Sequence, residues 1–158
     1  MDYIKQNTSG LIIEIQKIGC FFRSALHMAE LKTGKSLSIA KINELWVTCK
    51  QLGYIGERNG EPNCVLDSAK IATLALRRLG DEKGRFVEVG TFTQKTNFYP
   101  SINPNYRYVD YLIQKIHQAG PSKTHFRNVY HDGTLEWDPH KPEITPTSID
   151  YSILYIYL

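Results

Sequence analysis

Three residues in this sequence have the types and settings that acyl transfer at a thiol requires. Cys20 lies in Gln16-Lys17-Ile18-Gly19-Cys20-Phe21-Phe22-Arg23-Ser24-Ala25-Leu26, where an apolar stretch meets the start of a helical pattern. His125 opens the segment His125-Phe126-Arg127-Asn128-Val129-Tyr130-His131-Asp132-Gly133-Thr134-Leu135-Glu136-Trp137-Asp138-Pro139, and Asp138 closes it. A thiol attacks a carbonyl as the thiolate, and a free thiol is mostly protonated near neutrality. A helix N-terminus favours the thiolate, because its unpaired N–H groups and dipole attract negative charge. Cys20 stands at such a place. Gly19 lets the backbone approach closely, and the N–H groups that follow are placed to face a developing oxyanion. An imidazole to move the proton and a carboxylate to orient it would complete the set.

Each of these residues also has an ordinary structural explanation. Free Cys is often just a small buried apolar residue, and Cys49, mid-helix on an apolar face, reads that way. Cys64, in a loop just before a helix, is the rival nucleophile. Of the five His, His27 sits about two turns beyond Cys20 inside the same helix. His117 falls near the end of a fourth helix, where the dipole favours a protonated ring. His131 is in a turn, and His140, beside Pro139, is the second choice of base. His125 starts a strand and Asp138 ends its partner. Folding that hairpin about 131–133 brings the two within about one ladder position. A surface His and a turn-forming Asp-Pro explain each residue singly, but not the conjunction.

The elements that must position these groups fall into two halves, helical over about 15–80 and extended over about 85–158. In the first half, Phe22, Ala25, Leu26 and Ala29 recur at helical spacing from Cys20 to Lys32, with Gly34 as a C-terminal cap. Ser38 caps a second helix from Ile39 to Leu52, with Gly53 behind it. A loop is expected over Gly56 to Asn63. Asp67 caps a third helix from Ser68 to Leu79, stopped by Gly80. In the second half, Phe86 to Phe92 alternates as a strand. Residues 96–107 are rich in turn formers, and a helix is expected from Val109 to Gln118. The hairpin 125–138 follows, with Gly133 in the left-handed turn position. Tyr151 to Leu158 reads as the last strand. Helices first and strands afterwards is an α+β order, with a cleft expected between the halves.

Composition narrows the function classes. A chain of 158 residues fits one domain with a sizeable core. Hydrophobic content of 42% and charged content of 22% are ordinary for a globular protein. The net charge is only +3, with Lys and Arg scattered, which argues against a nucleic-acid partner. No apolar run approaches a membrane helix, and no signal-peptide pattern opens the chain. The odd count of three Cys favours reduced thiols. A cytoplasmic setting is expected, with no membrane insertion. No His/Cys spacing reads as a zinc site, and no cofactor is needed.

The order Cys, His-Phe in a strand, then Asp-Pro after a hairpin resembles the papain-like cysteine peptidases. The likeness is nearest to the bacteriocin-processing (double-glycine leader) peptidases and their short bacterial and phage-borne relatives. The resemblance implies a helical half packed on a C-terminal antiparallel sheet. It implies Cys20 as nucleophile, His125 as general base and acid, and Asp138 as orienting residue. It also implies a glutamine ahead of the nucleophile in the oxyanion hole, a role that falls to Gln16. The family spacing is longer and would fall near Glu14, and the family's Cys-Gly is here Cys20-Phe21. The implied reaction is cleavage of a peptide or amide bond through a thioester. Two other classes use the same pattern: a papain-like binding module without catalysis, and a cysteine acyltransferase or cell-wall amidase. A wall role ordinarily carries an export signal or wall-binding repeat, and a leader-peptide role an adjoining transporter domain.

Overall fold

The structure, a computed structural model, describes residues 2–93, 110–120 and 124–158. Four helices and a β-hairpin come first: α1 (Ile13–Ile18), α2 (Cys20–Thr33), α3 (Ile39–Gln51), β1 (Ile55–Arg58), β2 (Glu61–Val65) and α4 (Ser68–Arg78). Five strands follow: β3 (Phe86–Phe92), β4 (Asp110–His117), β5 (Thr124–Val129), β6 (Leu135–Trp137) and β7 (Ser148–Tyr157). The class is α+β, as the element order implied.

The helix boundaries follow from capping chemistry. Ser38 accepts a hydrogen bond from the Lys41 N–H, and Asp67 accepts one from the Lys70 N–H. Each satisfies one of the donors that a helix N-terminus leaves unpaired. Gly34 closes α2 in the left-handed region, its N–H donating to the Glu30 carbonyl. Leu26, Met28, Ile42, Leu45, Ile71 and Leu76 interlock in a core sealed from solvent.

The five-stranded sheet has the order β3-β7-β4-β5-β6, and every pairing is antiparallel. Helix α2 packs on β5 through a face-to-face stack of Phe21 on Phe126, centroids 4.1 Å apart. The Asn128 amide donates to the Ser24 carbonyl at 3.2 Å and holds the same contact one turn further on.

Two local expectations are corrected. The helix expected over Val109–Gln118 is strand β4; Val109 itself lies outside the described residues, as does the turn-rich stretch 96–107. β4 is flanked by β5 and β7, and Leu112, Ile113, Gln114 and Ile116 are all buried. A strand buried on both faces loses its alternation and reads as an apolar run, which periodicity cannot separate from a helix. His117 therefore ends a strand, 3.5 Å from Asp150, and not a helix. The loop expected over Gly56–Asn63 is the β1–β2 hairpin. Asn59 and Gly60 both take positive φ (51° and 82°), the pairing that a tight hairpin turn demands. Cys64 accordingly lies on β2. Among the described residues, no helix is long and apolar enough to cross a membrane.

Candidate functional site

Cys20 is the first residue of α2, directly after a sharp junction with α1. The Gly19 N–H donates to the Ile15 carbonyl at 2.9 Å, and the first α2 bond runs from the Arg23 N–H to the Gly19 carbonyl. A Cβ on residue 19 would meet the Ile15 backbone, with Ile15 Cα only 2.8 Å away. Glycine is thus what lets α1 run so tightly into the helix that Cys20 opens. The N–H groups of Cys20, Phe21 and Phe22 open the first turn of α2, and no acidic side chain sits there.

His125 lies on β5 and is 4% exposed. Its Nε2 donates to Asp138 Oδ1 at 2.7 Å. The Cys20 thiol is close enough to the ring to help raise its pKa. Burial by itself would lower the His125 pKa. The hydrogen bond to Asp138, the Cys20 thiol and the charges of both outweigh it and hold the pKa at about 9.

Asp138 follows β6 and is buried. Its Oδ1 also accepts the His140 N–H, and its Oδ2 accepts the Ile144 N–H at 2.9 Å. Burial pushes its pKa up, but His125 and these two N–H groups pull it below the usual carboxylate range. The carboxylate is therefore ionised and fixed in direction.

Segment 5–7 straps the loop that carries Asp138. Lys5 Nζ donates to the Asp138 carbonyl, and the Gln6 N–H to the Pro139 carbonyl. Asn7 donates through Nδ2 to the Lys141 carbonyl and accepts the Lys141 N–H. Under the strap, Trp137 stacks on His27 at 4.0 Å and carries Lys5 and Arg23 over its ring. Arg23 pairs with Glu30 at 2.7 Å with both side chains fully buried, and its Nε donates to the Ile4 carbonyl. Helix α2, the strap and the Asp138 loop are thereby bound into one block.

The other candidates fall elsewhere. Burial pushes the Cys49 thiol up to about 12, as suits a core residue. The Cys64 thiol lies 3.4 Å from the Glu61 carbonyl within its own hairpin. Burial depresses His27, which leans on Glu30. The His140 ring is 6.3 Å from that of His125 and bonds the Pro142 carbonyl. His131 lies at the hairpin turn, where Gly133 has φ 85° as expected.

The Gln16 amide turns to the chain ahead of α1 and not to Cys20. Its Nε2 donates to the Leu11 carbonyl at 2.7 Å, folding the side chain back over the start of α1. A different glutamine, which spacing gives no reason to choose, approaches the end of α1. Gln6 is 3% exposed, held by its N–H on Pro139. Its Oε1 has no partner, and its Nε2 makes only a long 3.4 Å contact with the Gln16 carbonyl, one turn ahead of Cys20. Among the described residues, no three His, Cys, Asp or Glu side chains converge as metal ligands.

This chain matches no protein-family model, no curated protein and no solved structure. Its function must be argued from the site alone.

Proposed function

We propose that this protein is a thiol-dependent hydrolase of papain-like architecture. It would cleave a peptide or amide bond through Cys20, His125 and Asp138, with a thioester intermediate. The observation that carries the reading is the buried 2.7 Å pairing of His125 with Asp138, with the Cys20 thiol at the start of α2 near enough to raise the pKa of that ring. It joins a helix start, a strand and a hairpin end that are far apart in sequence.

In this mechanism the Cys20 sulfur attacks the substrate carbonyl carbon. The oxyanion forms opposite the Cys20 N–H, with the Gln6 amide as the second donor in place of Gln16. Protonated His125 gives its proton to the leaving amine, and the C–N bond breaks. His125 then takes a proton from water, and the hydroxide hydrolyses the thioester to the acid and free thiolate. Asp138 keeps the ring oriented and stabilises its charge throughout. A cavity of about 580 Å³ opens beside Phe21, the residue next to Cys20, between the β1–β2 hairpin and the sheet. Its lining is mixed, with Val65, Leu66 and Ile153 beside Arg58, Lys70 and Glu88, and Cys20, His125 and Asp138 are not part of it.

The test is limiting iodoacetamide across pH 4–9, with mass spectrometry to locate each modified cysteine. Selective labelling of Cys20 below pH 7, lost in His125→Ala, is the expected result. Cys20 labelling no faster than Cys64 would overturn the enzyme reading and leave a binding module.

A further inference from the structure

A polar row crosses the sheet beside the catalytic pair. Gln114 of β4 stands opposite Arg127 of β5 on one side and opposite Ser152 of β7 on the other. Cross-strand partners share a sheet face. His125 lies two positions before Arg127 on β5, so it projects to that face as well.

The row is buried and incompletely bonded. Gln114 and Ser152 are fully buried, and Arg127 is 8% exposed. Arg127 Nε donates to Gln114 Oε1 at 3.0 Å. Gln114 Nε2 and Ser152 Oγ have no partner. Among the described residues no carboxylate forms an ion pair with Arg127. Asp138 and Glu143 act on its charge, and Asp138 already has its oxygens engaged by His125, His140 and Ile144. The unfilled positions are one N–H and one O–H donor in the same cross-strand row as that cation. Buried donors and an unpaired guanidinium call for an anionic acceptor. The planar fork of arginine matches a carboxylate in particular.

We propose that Arg127, Gln114 and Ser152 form a carboxylate-binding subsite, which holds a carboxylate of the peptide substrate beside His125. This rests on the hydrolase reading above. The carboxylate is either the free C-terminus of a short peptide or an acidic side chain, and the two are distinguished by the reagents used.

The experiment compares charged and neutral alkylating agents on the full chain. N-iodoacetyl-glycine and N-iodoacetyl-β-alanine are run against their carboxamides, which tests a terminal carboxylate. N-iodoacetyl-glutamic acid α-amide is run against the glutamine analogue, which tests a side chain. Cys20 should be labelled at least about tenfold faster by one carboxylate series, saturably. Arg127→Met should bring that ratio to near one, Arg127→Lys should keep part of it, and iodoacetamide labelling should persist in both. Gln114→Leu and Ser152→Ala serve if Arg127→Met does not fold. A ratio near one in the wild type, or one unmoved by these variants, overturns the subsite while leaving the dyad intact. An unreactive Cys20 overturns the hydrolase reading instead. Calorimetric titration of Cys20→Ala with N-acetyl-Gly-Gly, N-acetyl-glutamic acid α-amide and their neutral amides then decides whether carboxylate binding stands alone.

Discussion

Phe21 and Phe126 stack face to face with an interplanar angle of 10°, Phe21 following Cys20 and Phe126 following His125. The stack sets the spacing between Cys20 on α2 and His125 on β5. Removing one ring should therefore loosen the thiol–imidazole contact without touching either group. Phe126→Ala should cost about 1–3 kcal/mol of stability. It should also slow Cys20 alkylation toward that of Cys64. Urea melts and labelling rates measured on the same samples separate the two effects. Unchanged labelling in a folded variant would mean the stack does not position the pair.

Asp138→Asn should lower kcat by a factor on the order of 10⁴, because the ring then loses its orienting charge. The two backbone N–H groups that bond the carboxylate should keep the loop in place. A loss below about tenfold, against any peptide the wild type cleaves, would remove Asp138 from the mechanism.

The pH dependence follows from signs. The fold favours protonated His125, so that stabilisation is complete below the ordinary value of 6.5. It is lost as pH rises through about 9. The fold favours ionised Asp138, whose contribution is present above 3.8 and lost as pH falls through its depressed value. Cleavage should accordingly show an alkaline limb near 9, where the acid that protonates the leaving amine disappears. In Asp138→Asn that limb should move to lower pH. NMR titration of the His125 ring reads it directly, and a midpoint left at about 9 would show that Asp138 is not the partner.

The two glutamines should behave oppositely. Gln6→Ala should reduce kcat by roughly 10²–10³, the usual effect of one oxyanion donor. Gln16→Ala should leave kcat within about twofold, since its amide serves Leu11. Equal losses in both variants would contradict the reassignment.

The buried Arg23–Glu30 pair should dominate local stability. Arg23→Met leaves Glu30 without its cation and should cost about 3–5 kcal/mol. Replacing both with apolar residues should recover much of that. A single-variant cost below about 1 kcal/mol in urea melts would show that the pair is not sealed as described.

What could be read in the sequence was local. Cys20 was legible because Gly19 and a helical pattern bracket it, and His125–Asp138 because a single hairpin joins them. Strand β4 was not, because burial on both faces erases the alternation that marks a strand. The β1–β2 hairpin had a plain signal in Asn59-Gly60, which the short, largely exposed strands around it obscured. Gln6 had no signal at all. It comes to the Gln16 carbonyl through segment 5–7, while the family resemblance pointed to Gln16 itself.

The strap has a consequence for the order of assembly. Lys5 and its partner Asp138 are 133 positions apart, so the strap is made well before the loop it holds. Cys20 and its helix can fold early, but the thiol has neither His125 nor Asp138 beside it until the distant hairpin arrives and docks. On the proposed mechanism, a chain still being made would carry the thiol without the means to use it. Competence would switch on only once that hairpin is in place, which would keep a nascent hydrolase from cutting its surroundings.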